Sequence, residues 1–264
     1  MESNERLLSI KHGNNFRDLG GYQTNDGKTV KWHKLIRSGH LHELDQSDLT
    51  TLQKLNVAVD IDFRAPMEAK LQPDKVPSNA AYHRLSVFET DKTDASHSQE
   101  EIQREYSNNP GAGFNHMVDV YQEMVTTNQA KSAYQKFFRL LIEATPEQSV
   151  LYHCTAGKDR TGLGSVFLLS ALDVDVKTIE NDYLLTNAVT ANYVNNRIKD
   201  ILDAGLPTAF ADNTRALATV SPAYLKKSME TINATFGNMP NYLKEHLELS
   251  KSDIQILKHN FLDS

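Results

Sequence analysis

Residues 149–162 read SVLYHCTAGKDRTG, and their pattern predicts the centre of the fold. The apolar run from Val150 to Tyr152 is typical of a buried strand. It leads to Cys154, the single cysteine among 264 residues. Arg160 follows the cysteine, and an apolar pattern with helical spacing then begins at Leu163. The sequence therefore predicts a strand, a tight loop and a helix N-terminus in immediate succession.

Such a loop is suited to binding an oxyanion. The first turn of a helix has unpaired N–H groups and a partial positive charge. The amides of residues 155–160, which include Gly157, can curl around a phosphate, and Arg160 adds a fork that matches two phosphate oxygens. A helix dipole and nearby cations can lower the pKa of a thiol by several units. Cys154 is therefore a candidate nucleophile for attack on phosphorus.

Other interpretations of the cysteine are weaker. A lone cysteine is more often a small buried hydrophobic residue than a nucleophile. A zinc site is disfavoured, because His153 and Cys154 are adjacent and no second cysteine exists. The order His-Cys, five residues, Arg and then Thr-Gly favours a functional loop. A non-catalytic phosphate-binding module is the alternative, but such a module would be expected to lose Cys154 or Arg160.

Residues 153–162 resemble the signature loop of the cysteine-dependent protein tyrosine phosphatases. The Ala-Gly-Lys-Asp-Arg part is similar to one bacterial branch, which includes mycobacterial protein tyrosine phosphatase B and the Listeria lipid and tyrosine phosphatase. Four further stretches are similar to that branch in order and spacing: residues 15–22, 35–39, 60–64 and 182–187. The likeness covers roughly residues 14–190.

The resemblance implies a protein-tyrosine phosphatase that hydrolyses phosphomonoesters through a phosphocysteine intermediate. Cys154 would be the nucleophile, and Arg160 would stabilise the phosphate oxygens. The phosphate loop consists of Thr155, Ala156, Gly157, Lys158, Asp159 and Arg160. Three further residues are expected to support it. His153 orients the loop and helps to lower the pKa of the thiol, the Thr161 hydroxyl can bond the thiolate or the phosphocysteine, and Arg64 pairs with a neighbouring charge. No metal or other cofactor is expected.

The proton donor to the leaving oxygen is left open between two aspartates. General acid catalysis needs a carboxylic acid close to the leaving group. Asp159 lies inside the loop, whereas Asp62 follows a predicted central strand, and the resemblance implies that it lies beside the loop. Lys158 either binds a second anionic group, such as part of a phosphoinositide, or forms a salt bridge with Asp159 or a surface carboxylate. Arg17 and Asp18 are expected to form a charge pair that braces the loop.

Composition limits the class of protein. A hydrophobic content of 39% and a charged content of 23% are typical of an ordinary globular protein. The net charge of −6 argues against nucleic-acid binding. A single cysteine, no N-terminal signal pattern and no apolar run of about 18 residues favour the cytoplasm and no integral membrane segment. The expected partner is a phosphotyrosine-containing protein or a phosphoinositide, and the oligomeric state stays open.

The remaining chain predicts an α/β fold, with a central, mainly parallel sheet flanked by helices in a single domain of residues 1–264. Strands are expected at 35–38, 57–62, 81–85 and 150–152, with a hairpin at 22–32 around an Asn-Asp-Gly turn. Residues 89–113 read as a mobile insertion or a weak helix over the site. Helical residues at about 186–220 predict a lid-like element. Helix starts are expected at Asp45, Pro66, Ser221 and Ser250.

Overall fold

The computed structural model describes residues 3–94, 97–107 and 109–263. Its centre is a five-stranded sheet in the order β1-β2-β5-β3-β4, in which only the pairing of β1 with β2 is antiparallel. The strands are β1 Arg17–Asp18, β2 Leu35–Ser38, β3 Val57–Asp62, β4 Ala81–Arg84 and β5 Ser149–His153. The predicted strands are therefore present, and the mainly parallel sheet is confirmed.

The middle strand, β5, is buried along its whole length, as its apolar sequence predicts. It lies between β2 and β3, and His153 pairs with Ser38 on one side and with Asp62 on the other. Three parallel strands thus end at the same edge of the sheet. Cys154 follows directly at this carboxyl edge, where open α/β sheets bind their ligands.

Thirteen helices surround the sheet within the described residues. They are α1 Ser3–Arg6, α2 Gln46–Lys54, α3 Pro66–Leu71, α4 Gln99–Tyr106, α5 Ala112–Thr126, α6 Asn128–Glu143, α7 Arg160–Ala171, α8 Val176–Val189, α9 Ala191–Asp203, α10 Thr208–Ala218, α11 Pro222–Phe236, α12 Met239–Asn241 and α13 Lys251–Phe261. A π-helical turn, Tyr242–His246, follows α12. The helical flanks that the sequence predicts are confirmed.

Local capping explains where several helices begin. The Asp45 side chain accepts hydrogen bonds from the first-turn amides of α2, and Ser221 caps α11, whose first residue is Pro222. Ser250 and Asp253 form the predicted capping box of α13. Within the segment 89–113, residues 99–106 form α4; residues 95, 96 and 108 lie outside the described part of the chain.

Helix α7, which follows the loop that begins at Cys154, is buried on nearly all sides. The aromatic side chains of α6 pack towards α7, with Tyr134, Phe137 and Phe138 fully buried. The ring of Tyr134 meets that of Phe167 on α7 edge to face, and Phe137 contacts Tyr152 on β5. This aromatic cluster is part of the core. It fixes α7, and with it the phosphate loop, against the sheet.

The predicted hairpin is present as a short bridge, in which Gln23 pairs with Thr29 around Gly27. The region predicted as lid-like is helical: it contains the end of α8, all of α9 and all of α10. None of the helices in the described part of the chain combines the length and the apolar character needed to cross a membrane.

Candidate active site

The loop between β5 and α7 makes a tight turn at the sheet edge. Gly157 has a φ of +66°, which side-chain-bearing residues rarely adopt. A Cβ at this position would lie 2.3 Å from the carbonyl oxygen of Ser38 at the end of β2. Glycine is therefore required here both by conformation and by space, which the sequence alone indicates only through the short loop.

The backbone carbonyls of the loop accept hydrogen bonds from side chains outside the loop. The Asn15 side-chain amide donates to the carbonyls of Ala156 and Gly157, at 3.2 and 2.9 Å. Arg37 donates a second bond to the Gly157 carbonyl, at 3.0 Å. In the described part of the chain, the amides of residues 155–158 donate to no backbone carbonyl. Tying the carbonyls back leaves these amides available to an oxyanion.

Behind these contacts lies a buried charge network centred on Asp182 of α8. Its carboxylate accepts from Arg17 at 3.1 Å and from Arg37 at 2.7 Å. Arg17 also donates to the side chain of Asn15. Burial opposes ionisation, but the two arginines outweigh it and lower the pKa of Asp182 to about 2. The network thus stabilises the two groups that hold the loop carbonyls.

The expected pairing of Arg17 with Asp18 is wrong. Successive residues on a strand point to opposite faces of the sheet, so these two side chains diverge. Asp18 instead accepts hydrogen bonds from the amides of Gly20 and His33. Arg17 still braces the phosphate loop, but through Asp182 and Asn15.

Arg160 is fully buried and held by Glu68 of α3. The two guanidinium nitrogens Nη1 and Nη2 donate to the Glu68 carboxylate at 2.6 and 2.9 Å. Nη2 also donates to the Thr93 hydroxyl at 3.1 Å, and the carboxylate of Asp91 lies 3.7 Å away. The hydroxyl of Thr155 donates to Glu68 as well. One carboxylate therefore positions residues at both ends of the loop.

Sequence reasoning missed Glu68 and Thr93. Glu68 offers one local signal, because it stands third in α3 and accepts from the amide of Ala65 as a capping residue does. That signal explains a helix start and gives no hint of Arg160. Thr93 lies in a segment that sequence reasoning placed over the site, and the structure brings this segment onto the guanidinium.

Lys158 and Asp159 form a buried salt bridge with an N–O distance of 2.6 Å. The phenol of Tyr121 donates to the other oxygen of Asp159 at 2.9 Å. Burial and the neighbouring carboxylate raise the pKa of Tyr121 well above its ordinary value, so the phenol stays protonated and keeps donating. Of the two interpretations of Lys158, the structure therefore contains the salt bridge to Asp159.

The Asp62 carboxylate binds side chains outside the phosphate loop. It accepts from Arg64 at 2.8 Å and from the Tyr82 phenol at 2.8 Å. Burial opposes ionisation, but His153 and Arg64 outweigh it and lower the pKa of Asp62 to about 2. Arg64 in turn also binds Asp74. Among the described residues, the Asp62 carboxylate accepts no hydrogen bond from residues 154–160.

The remaining predicted residues lie next to the nucleophile. The Nδ1 atom of His153 lies 3.3 Å from the carbonyl oxygen of Cys154. The hydroxyl of Thr161 is buried and has no hydrogen-bond partner in the part of the chain that the structure describes. Its bond to the thiolate stays a prediction. Cys154 is a free, buried thiol with 1% of its surface exposed.

Asp62, Asp74 and His153 lie close enough together to share a cation. A guanidinium already fills that role, because Arg64 contacts both carboxylates. The donor set therefore fits an internal arginine, and we assign no metal to it.

A cavity of about 370 Å³ lies above the loop. Thr155, Ala156 and Lys158 form part of its floor. The predicted lid-like region contributes to the opposite wall, with Val189, Thr190, Tyr193 and Ala218 among the lining residues. Arg160 itself is fully buried and is not among the residues that line this cavity.

Comparison with known proteins agrees with this geometry. A profile described as the tyrosine phosphatase family matches residues 8–263. The chain belongs to the tyrosine phosphatase family. A protein of Cupriavidus necator whose provisional name is tyrosine-protein phosphatase is 32% identical over 250 residues, which are 94% of this chain and 85% of that protein.

Two further relatives are similar over shorter or more divergent stretches. The triple specificity protein phosphatase PtpB of Mycobacterium tuberculosis is 28% identical over 257 residues, covering 88% of this chain and 90% of the relative. A tyrosine-protein phosphatase of Nostoc commune is 30% identical over 169 residues, covering 62% and 51% respectively. The resemblance to this bacterial branch and the expectation of a protein-tyrosine phosphatase are confirmed.

Proposed function

We propose that this phosphatase hydrolyses phosphotyrosine through a phosphocysteine intermediate on Cys154. The observation that carries the proposal is the loop itself. Cys154 and Arg160 stand at its two ends, its carbonyls are held from behind by Asn15 and Arg37, and its amides are left for an anion. This arrangement provides a nucleophile and an oxyanion site within a single loop.

The reaction would proceed in two displacements at phosphorus. The Cys154 thiolate forms the S–P bond while the bond to the tyrosine oxygen breaks, and that oxygen takes a proton from a general acid. Water then attacks the phosphocysteine, the S–P bond breaks, and inorganic phosphate leaves. In both steps the loop amides and Arg160 stabilise the charge on the equatorial oxygens.

We assign the general acid role to Asp159 rather than to Asp62. The Asp62 carboxylate binds Arg64 and the Tyr82 phenol and accepts no hydrogen bond from the described residues of the loop, which disfavours Asp62. Asp159 lies in the loop next to Arg160, and Lys158 is its cationic partner. A phosphate dianion would compete with the Asp159 carboxylate for Lys158.

Phosphotyrosine is the first substrate that we propose, and phosphoinositides and phosphoserine or phosphothreonine are further candidates. The exposed ring of Tyr193 at the cavity wall suits an aromatic substrate. The name of the mycobacterial relative, triple specificity protein phosphatase, supports a wider range for the family. A second anionic group would have to draw Lys158 away from Asp159, because the two side chains are paired.

We further propose that residues 186–220 act as a lid within a single domain of residues 1–264, and that the protein works in the cytoplasm, where thiols stay reduced. The lining of the cavity by residues 189, 190, 193 and 218 supports the lid. Amide hydrogen exchange with and without vanadate tests it. Exchange in α9 and α10 should slow when vanadate is bound, whereas unchanged exchange would contradict a closing lid.

The function is tested by comparing the wild type with Cys154→Ser on p-nitrophenyl phosphate, in reductant and chelator. The wild type is then assayed on a phosphotyrosine peptide, a phosphoserine peptide and a soluble phosphoinositide. Activity that survives chelation and disappears in the variant supports the cysteine mechanism, and the panel ranks the substrates. A folded wild type that is inactive on all of them would favour the non-catalytic phosphate-binding module.

A further inference from the structure

Asp60 of β3 is a fully buried carboxylate. It is 0% exposed, and neither of its oxygens accepts a hydrogen bond from any residue that the structure describes. Burying an unpaired carboxylate costs several kcal/mol. A residue in the middle of the sheet that carries this penalty needs a compensating cation close by.

The only cationic group that the structure places against Asp60, among the described residues, is the ring of His153 on the neighbouring strand β5. The Nε2 atom lies 3.3 Å from Asp60 Oδ1 and 3.5 Å from Asp74 Oδ2. The Nδ1 atom lies 3.3 Å from the carbonyl oxygen of Cys154. A carbonyl only accepts, so Nδ1 carries a proton, and two facing carboxylates favour a proton on Nε2 as well. The contacts therefore fit a doubly protonated imidazolium.

The other charged and titratable groups around His153 agree with this state. Asp62 lies 3.8 Å from Nδ1, but Arg64 already neutralises it and also binds Asp74. Burial opposes the charge on His153, yet Asp62, Asp60 and Asp74 together raise its pKa to about 9. His40 also faces this cluster, but burial and His42 lower its pKa to about 4, so it adds no charge at neutral pH.

We propose that Asp60 is a positioning residue: through its contact with Nε2 it keeps His153 as an imidazolium against the Cys154 carbonyl, the position from which His153 is expected to stabilise the thiolate. The inference rests on the proposed role of Cys154 as nucleophile. Asp60 touches neither substrate nor sulfur and acts only through His153. The same contact fixes the carbonyl of Cys154, and so orients the peptide group from which the phosphate loop begins.

The first test titrates the wild-type protein itself, and a variant serves only to assign its signals. The wild-type protein, labelled in its histidine rings, is titrated by NMR, and the His153 signals are assigned by their loss in His153→Asn. We expect His153 to stay protonated through neutral pH and to titrate near pH 9. Titration at or below the ordinary value of 6.5 would overturn the inference.

The second test measures how fast iodoacetamide alkylates Cys154 as a function of pH in Asp60→Asn. Because Cys154 is the sole cysteine, alkylation reports this thiol alone. We expect the midpoint of the curve to move upward and alkylation at pH 6 to slow by about tenfold, with the high-pH plateau unchanged. Asp48→Asn is the matched control, because Asp48 is also a buried carboxylate but bonds Lys11 and His12, away from the loop.

The outcomes separate the inference from the proposed function. A low wild-type midpoint that Asp60→Asn leaves in place would overturn the role of Asp60 while Cys154 remains the nucleophile. A wild-type thiol that alkylates like free cysteine would remove the activated nucleophile and weaken the proposed function itself. A shifted midpoint in Asp60→Asn and an unshifted one in Asp48→Asn would support the inference.

Discussion

Glu68 holds the guanidinium of Arg160 through two hydrogen bonds, of 2.6 Å from Nη1 and 2.9 Å from Nη2. Both side chains are buried, and the two residues are 92 positions apart in the chain. A bidentate pair of this kind fixes the plane of the guanidinium as well as its position. In a tyrosine phosphatase, that plane decides which phosphate oxygens the arginine can reach.

Replacing Glu68 by Gln should therefore reduce catalysis. Glutamine keeps the volume but offers one acceptor oxygen, so Arg160 loses its fixed orientation. We expect kcat/KM on p-nitrophenyl phosphate to fall by about 100-fold, as for other small misplacements of a catalytic group. Met67→Ala, on the same helix but 57% exposed, is the control. Equal kcat/KM for Glu68→Gln and wild type would show that catalysis does not depend on the ion pair between Glu68 and Arg160.

Asp182→Asn should destabilise the protein. The change leaves Arg17 and Arg37 buried without their shared carboxylate. Breaking a buried ion pair of this kind lowers the free energy of unfolding by about 3–5 kcal/mol. Urea denaturation at pH 7 measures the loss, and Asp203→Asn, which removes an exposed partner of Lys199, should change little.

The contribution of Asp182 to folding stability should depend on pH. The pKa of Asp182 is lowered from 3.8 to about 2, so its contribution to stability is complete above pH 3.8 and is lost as pH falls towards 2. The stability difference between wild type and Asp182→Asn should therefore shrink over that interval. A difference that stays constant down to pH 2 would contradict the charge network.

Features formed by residues close together in the chain could be predicted from the sequence, whereas contacts between distant residues could not. The order of residues 153–162 is local, so strand, loop and helix could be predicted from it, and the structure confirms them. The partners of the loop come from far away: Arg37 donates to Gly157 across 120 positions, and Asn15 across 142. A sequence does not show which buried charges will face each other, so Glu68 and the role of Asp182 were missed. Alternation along β1 would have excluded the pairing of Arg17 with Asp18.

Asp159→Asn should lower kcat more for substrates with a poor leaving group. Phenyl phosphate needs a proton at its leaving oxygen, whereas p-nitrophenolate leaves without much help, so the loss should be about 100-fold for the first and much smaller for the second. The pair of substrates distinguishes loss of an acid from general damage to the loop. An equal loss on both would contradict the assignment of Asp159, and Asp91, which lies 3.7 Å from Arg160, would be tested next.

Folding stability should depend on pH through His153. Its pKa is raised from 6.5 to about 9, so its contribution is complete below pH 6.5 and is lost as pH rises through 9. The wild type should lose on the order of 3 kcal/mol of unfolding free energy over this interval, relative to a protein without the shift. Urea denaturation of wild type and Asp60→Asn across this range measures it. The variant should show a smaller decline, and parallel curves would contradict the pairing of Asp60 with His153.

The most direct measurement of the central claim is to trap the covalent intermediate. Wild type and Cys154→Ser are mixed with p-nitrophenyl phosphate, quenched in acid within milliseconds, digested and analysed by mass spectrometry. The account predicts a phosphoryl group on the peptide that contains Cys154 in the wild type, formed at the rate of the initial burst of p-nitrophenol. Full turnover without any phosphoryl group on Cys154, or undiminished turnover by Cys154→Ser, would contradict it.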